Sequence, residues 1–364
     1  MALVGVWIPL ACTNTASNFL PTKPSTPVVA SATATNAFGY TSTPTFTLQP
    51  TGTPTNSPTA ITAMTGPITI CAPRVPNAVA LNAAHNTLYV AGGDGTLSIY
   101  SVPTPPVPLS ASVVTPFTTI TGFNGIVFGE LTGVAVGPGA SPNFYVLDAG
   151  TQSIYEFNSS NLPVTTWNSY NGMPFNATSP PLGIAVDSSE NVYVVDTGNN
   201  VVDEFKVLGN TTTGPVTVTT VNQWGYSGSG VGYFNDPSGI AVDTGNNVYV
   251  ADMGNGVIQK FSSAGIFTSQ IATMPNPNIV MGLAVDAGGD VFAADYNNFL
   301  VEEYTAPSSA VTLTAGGPVT LSAQWAGPAS IPPGSNFGPA GIAYDGSELY
   351  VADYDNNKVY IITP

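Results

Sequence analysis

Residues Gln223–Phe261 read QWGYSGSGVGYFNDPSGIAVDTGNNVYVADMGNGVIQKF. Three short apolar runs stand in this stretch: GIAVD from Gly239, VYVAD from Val248 and VIQKF from Val257. Runs rich in β-branched and aromatic residues, bounded by clusters of Asp, Gly and Asn, read as strands separated by turns. The middle run is apolar at successive positions rather than at alternate ones, so both of its faces are covered. The first run opens on small residues, which suit a place where another backbone comes close. A fourth strand precedes the trio as TVNQWG, Thr220–Gly225.

The same pattern recurs along the chain. It begins at Asn77 (NAVALNAAHNTLYVAGGDGTLSIY), Thr132 (TGVAVGPGASPNFYVLDAGTQSIYEF), Leu182 (LGIAVDSSENVYVVDTGNNVVDEF), Ser238, Met281 (MGLAVDAGGDVFAADYNNFLVEEY) and Ala340 (AGIAYDGSELYVADYDNNKVYII). The anchor position is held by Ala78, Gly133, Gly183, Gly239, Gly282 and Gly341, at intervals of 55, 50, 56, 43 and 59 residues. Such variation around a constant core places the differences in loops. Further outer strands read as FTSQI from Phe267 and LSAQW from Leu321. Six units of four antiparallel strands predict an all-β, six-bladed β-propeller over residues 66–364. The last unit shows three strands and the chain ends at Pro364. The strand-like Ile68–Cys71 is therefore expected to supply its missing outermost strand and remove an exposed edge. Cys71 reads as a small buried residue with an inert thiol.

These residues resemble NHL repeats. The WG at Trp224, the Gly/Ser loop, F-x-x-P-x-G from Phe234, GIAVD, VYVAD and the final aromatic carry the likeness, which extends over about 300 residues. The first two repeats depart from it: Asn82 and Gly137 replace the Asp after the first strand, and Gly92-Gly93-Asp94 distorts the second turn. Related six-bladed propellers include calcium-dependent lactonases and streptogramin-type lyases. The resemblance carries none of their catalytic residues onto this chain. The lyases imply a histidine on the tunnel face, and the one histidine, His85, falls in a hairpin on the opposite face. The lactonases imply a Glu in the first inner strand, where this chain has Asn77–Leu81.

Composition narrows the functional classes. Five Lys plus Arg stand against 21 Asp plus Glu, for a net charge of −16. Nucleic acid is not an expected partner, because phosphate binding depends on clustered cations. Two cysteines and one histidine leave little for a zinc site. Residues 1–12, MALVGVWIPLAC, are too short to span a bilayer as a helix. Small and apolar residues ahead of Cys12 resemble a bacterial lipobox, with Pro9 where Leu is usual. Lipid attachment at Cys12, with membrane anchoring, and a cleaved secretory signal are the two functional readings. Residues 13–65 are rich in Thr, Pro and Ser and read as a disordered linker.

Chemistry is expected on the face that holds the turns after the second strands. Those turns carry Asp94, Asp148, Asp196, Asp252, Asp295 and Asp353, several followed by Asn. A ring of carboxylates fits calcium, but Asp and Asn also cap their own turns. One per blade, in register, is what a structural role predicts. The loops entering the first strands supply the candidate ligand-binding residues Glu130, Asp236, Asn235, Asn278 and Asn336. The loop phenylalanines Phe128, Phe175, Phe234 and Phe337 read as plugs between blades. The expectation is an extracytoplasmic binding or scaffold module for a protein, peptide or glycan. No cofactor is required, and a calcium-dependent hydrolase or lyase acting at the same face is the alternative.

Overall fold

The computed structural model describes residues 62–63, 69–71, 75–102, 116–140, 142–176, 178–209, 216–272, 279–305, 320–326 and 336–364. Six four-stranded antiparallel blades follow one another. From the innermost strand outward, blade 1 is Pro76–Leu81, Thr87–Gly92, Thr96–Ser101 and Thr118–Ile120. Blade 2 is Leu131–Val136, Phe144–Asp148, Ser153–Phe157 and Pro163–Trp167. Blade 3 is Gly183–Val186, Asn191–Asp196, Val201–Leu208 and Thr217–Trp224. Blade 4 is Pro237–Val242, Val248–Asp252, Val257–Phe261 and Phe267–Ala272. Blade 5 is Val280–Val285, Val291–Asp295, Leu300–Thr305 and Thr320–Ala326, with Thr62–Ala63 added in parallel at its outer edge. Blade 6 takes Pro339–Tyr344, Leu349–Asp353 and Lys358–Ile362 from the C-terminal end and Thr69–Cys71 from the N-terminal side.

That last pairing is antiparallel, with Thr69 opposite Tyr360, Ile70 opposite Val359 and Cys71 opposite Lys358. It is the closure expected from the three-stranded last repeat. The innermost strands also meet in a ring, each against the next and the sixth against the first.

Apolar runs on the second strands are explained by where their two faces go. Val248 and Val250 of blade 4 pack toward blade 3, with Tyr193 and Val195. Tyr249 and Ala251 of the same strand pack toward blade 5, with Leu283 and Val291. Each described gap between blades holds one such cluster, including the closing gap where Tyr350 and Val359 meet Leu88 and Val90. A strand between two dry interfaces needs apolar residues on both sides.

The anchor glycines allow the inner ring to close tightly. A Cβ on Gly282 would lie 2.3 Å from the Ala340 carbonyl oxygen, and one on Gly183 would lie 2.4 Å from that of Ser238. On Gly341 it would meet Ala78 Cα at 2.5 Å. These contacts are with the neighbouring blade's backbone, which cannot rotate aside. Overpacking of this kind costs ~1–3 kcal/mol.

Hairpins between first and second strands are held by the Asp of GIAVD. Asp243 Oδ1 accepts the N–H groups of Gly245 (2.9 Å) and Asn247 (2.8 Å), while Tyr249 donates its hydroxyl to Oδ2 at 3.1 Å. Asp187 and Asp345 repeat this arrangement with Tyr193 and Tyr350. In blade 1 Asn82 substitutes for Asp and accepts the N–H groups of Asn86 and Thr87. His85 lies in that hairpin, on the face opposite the Asp turns.

Candidate functional site on the top face

The recurring turn carboxylates are buried inside the fold. Asp148, Asp252, Asp295 and Asp353 are 0% exposed and Asp196 is 2% exposed. Four of them begin D-x-x-N, and the Asn three residues on donates its amide back to the Asp. Asn199 to Asp196, Asn255 to Asp252, Asn298 to Asp295 and Asn356 to Asp353 are each 2.7 Å. The other oxygen reaches the loop that enters the blade. Gly129 N–H donates to Asp148 at 2.9 Å, Asn235 N–H to Asp252 at 2.8 Å and Gly338 N–H to Asp353 at 3.0 Å. Asp148, Asp252 and Asp353 therefore tie their own turns to the start of the same blade, while Oδ1 of Asp196 is buried without a hydrogen-bond partner among the described residues. Burial raises the carboxyl pKa of Asp196, Asp252 and Asp353, and the hydrogen bonds oppose it.

Asp94 does not belong to this set. Gly92 occupies the position of Asp252, opposite Pro76 as Asp252 is opposite Pro237. The distorted Gly-Gly-Asp-Gly turn pushes Asp94 outward, where it is exposed and accepts Thr96 N–H at 3.1 Å. The entering loop is held instead by Gly93 N–H on the Val75 carbonyl at 2.8 Å.

The contrast yields a prediction. Asp252→Ala removes an acceptor that three groups use, Asn235 N–H and the Asn255 and Gln259 amides. Each donor left buried without a partner costs ~1–3 kcal/mol. Urea denaturation is expected to show at least ~2 kcal/mol lost, against less than ~0.5 kcal/mol for the surface change Asp94→Ala. Millimolar calcium is expected to leave the melting temperature unchanged. A rise of several degrees that Glu130→Gln or Asp236→Asn abolishes would overturn this structural role. Among the described residues, no three His, Cys, Asp or Glu side chains form a metal-holding group.

Just before each of those donor N–H groups stands a plug. Phe128, Phe175, Phe234 and Phe337 are all buried. They pack on Phe157, Phe205, Phe261 and Tyr360 of the following third strands. Glu130 and Asp236 then occur two residues after their plugs, and both are exposed. They stand at equivalent corners two blades apart, and no hydrogen bond or charge interaction links them. Asn235 and Asn336 are exposed too, and the Asn336 carbonyl accepts the Asn356 amide at 2.7 Å. Asn278 lies outside the described residues, as does Cys12.

The residue after the turn Asp was not among the sequence candidates, yet it shapes the rim. It is Ala149, Thr197, Met253, Tyr296 and Tyr354 in blades 2 to 6. Tyr296 and Tyr354 meet edge to face at 5.9 Å, and the Tyr296 hydroxyl donates to Asp355 Oδ1 at 3.1 Å. Burial and then the Asp355 charge push the Tyr296 phenol up to about 12. Burial, then Glu130 and Asp355, raise that of Tyr354. Glu130, entering blade 2, is thus within electrostatic reach of blade 6 across blade 1. ADYNN and ADYDNN, against DTGNN and DMGNG, were the available signal: the aromatic appears only in the last two repeats. Below the rim, the innermost strands line an axial cavity of about 70 Å³ walled by Gly133, Gly183, Gly239, Gly282 and Gly341. It is large enough for a few waters.

Blade count, strand order and ring closure define a six-bladed β-propeller. Within it, residues 234–261 match the NHL repeat, so the chain carries at least one repeat of that type. No curated protein matches the sequence. Among solved structures, the RRP9 WD40 repeats align over 84% of this chain and 99% of theirs, at 10% identity and a TM-score of 0.54. A functionally unknown protein from Desulfotomaculum acetoxidans aligns over 80% and 83%, at 14% identity and a TM-score of 0.52. A catalytically inactive virginiamycin B lyase from Staphylococcus aureus, with quinupristin, aligns over 79% of each chain at 13% identity and a TM-score of 0.48. At these identities the likeness concerns the fold.

Proposed function

We propose that the chain is an extracytoplasmic binding or scaffold module whose top face takes a protein, peptide or glycan ligand. The observation that carries this reading is the division of labour among the polar groups of that face. The turn aspartates are consumed by the fold, whereas Tyr296, Tyr354 and Asp355 join in an asymmetric cluster on the turns of blades 5 and 6, with the charge of Glu130 acting on Tyr354. Aromatic and carboxylate groups on rigid turns offer stacking and hydrogen bonding without reordering on binding. Peptide and glycan arrays probed with the whole chain are expected to give ligands that the Glu130→Gln, Tyr354→Ala variant loses. Ligands bound equally by both proteins, or chemically altered by the wild type, would sink the reading. Export and anchoring through a lipidated Cys12 belong to the same proposal. Cys12→Ser is then expected to move the protein from the membrane to the soluble fraction, and identical partitioning would refute the anchor.

A further inference from the structure

The loop that enters blade 4, Tyr226–Asp236, is built more firmly than its surface position requires. Gln259, 1% exposed, reaches it from the third strand. Its amide accepts Gly232 N–H at 2.8 Å and donates to the Tyr233 carbonyl at 2.6 Å. Asn255 donates to the Gly228 carbonyl at 2.8 Å. Phe234 N–H donates to the Tyr226 carbonyl at 2.8 Å, and the Phe234 ring is buried. Gly228 and Gly230 press on the Tyr233 ring, where an added Cβ would come within 3.1 and 3.3 Å.

What this framework presents is aromatic and open to solvent. Tyr226 is 71% exposed and Tyr233 47%, with ring centroids 6.4 Å apart and inclined by 51°. Val231 beside them is 50% exposed. Asp236 and Asn235 are exposed at the base of the loop, and residues 225–236 contain no Lys, Arg or His. Paired phenol faces attract a cation through their ring quadrupoles. A carboxylate on the same loop adds to that attraction, and the excess of acidic over basic residues extends it to longer range. Phosphates and acidic peptides are repelled by the same charges. A neutral sugar stacks on tyrosine but gains nothing from the charge of Asp236.

We propose that Tyr226, Tyr233 and Asp236 form a docking site for a lysine- or arginine-bearing segment of a partner protein. This rests on the binding-module reading and adds to the site proposed on the turns of blades 5 and 6 a second one, on blade 4, with its own ligand chemistry. The test is calorimetric titration of the full chain with acetyl-Gly-Arg-Gly-Lys-Gly-Arg-Gly-amide, its glutamine-substituted neutral analogue, and cellohexaose. The double variant Tyr226→Ala, Tyr233→Ala keeps the charge of the protein. Both substitutions lie at exposed positions, and a melting curve checks that the fold is retained. The basic peptide is expected to bind the wild type and to bind the double variant about tenfold more weakly. Asp236→Asn is expected to weaken binding by roughly threefold and to flatten its salt dependence. Equal binding to wild type and double variant would mean a diffuse attraction to an acidic surface; the site would fall and the binding-module reading would stand. Saturation by cellohexaose in place of the basic peptide would overturn the inference and leave the binding-module reading standing. No heat with the basic peptide would overturn the inference itself.

Discussion

Removing residues 1–72 is expected to lower the melting temperature by about 6–12 °C relative to removing residues 1–65. Both truncations lose Thr62–Ala63 from the edge of blade 5, so the difference isolates Thr69–Cys71. That strand is the outermost of blade 6, paired along Lys358–Tyr360. Its ladder contributes on the order of 3 kcal/mol, at ~1 kcal/mol for each hydrogen bond. For a domain of this size 1 kcal/mol corresponds to ~2–4 °C. The exposed edge that remains would also pair with other copies, so the shorter chain should aggregate on heating. The measurement is a thermal melt by circular dichroism with light scattering. Equal melting temperatures and equal scattering would mean that the ring holds without this strand.

Stability is expected to fall as pH rises from 5 to 8, opposite to the usual acid-labile pattern. Asp203, on the third strand of blade 3, is 0% exposed. Its Oδ1 accepts the Gln223 amide at 2.6 Å, while Oδ2 has no hydrogen-bond partner among the described residues. Burial pushes its carboxyl up to about 7, and the neighbouring Asp196 adds to the rise. Glu204 beside it is also pushed up to about 7, first by burial and then by Asp187. A carboxyl with a raised folded-state pKa binds protons that the unfolded chain has already released. Its contribution is therefore complete below the unfolded value near 4 and is lost as pH climbs through about 7. At about 1.4 kcal/mol per pKa unit, Asp203 alone represents a few kcal/mol across that window. Blade 4 places the amide Gln259 at the equivalent position, paired with Val250 as Asp203 is with Val194. Asp203→Asn should accordingly raise the melting temperature at pH 8 by several degrees and change it little at pH 5. A wild type that melts higher at pH 8 than at pH 5 would contradict this account.

The fold was legible because each local signal agreed with the global one. GIAVD, VYVAD and VIQKF each carry strand propensity, turn punctuation and two-sided burial, and six copies at irregular intervals leave a ring of blades. The closing strand was legible by subtraction, since three strands at one end of the chain lacked a fourth. The Phe plugs and the structural turn aspartates were legible as well, because a residue repeated once per blade points to a repeated contact. The anchor glycines were legible as places where another backbone comes close, and the structure identifies that backbone as the first strand of the next blade. The carboxylates of Asp148, Asp252 and Asp353 bind the N–H group that follows a plug, and no spacing rule foretold that latch.

Other features depended on which side chains the ring brings together. Gly92, not Asp94, takes the place of the turn aspartate, because the two-glycine turn displaces the carboxylate outward. The rim pair Tyr296 and Tyr354 is separated by 58 positions in the chain, and Glu130 lies farther still from Tyr354. Stacking of blades 5 and 6 joins the two tyrosines, and only closure of the ring brings Glu130 of blade 2 toward them. Asp203 reads in sequence as an ordinary strand polar residue, and only the packing of blade 3 removes it from water. Repeat periodicity thus determined the architecture of this protein, because backbone pairing and apolar burial act in every copy. Tertiary structure decided the rim, the exposed tyrosines and the buried acids, because each arises where one repeat differs from the others and the difference acts through neighbours distant in the chain.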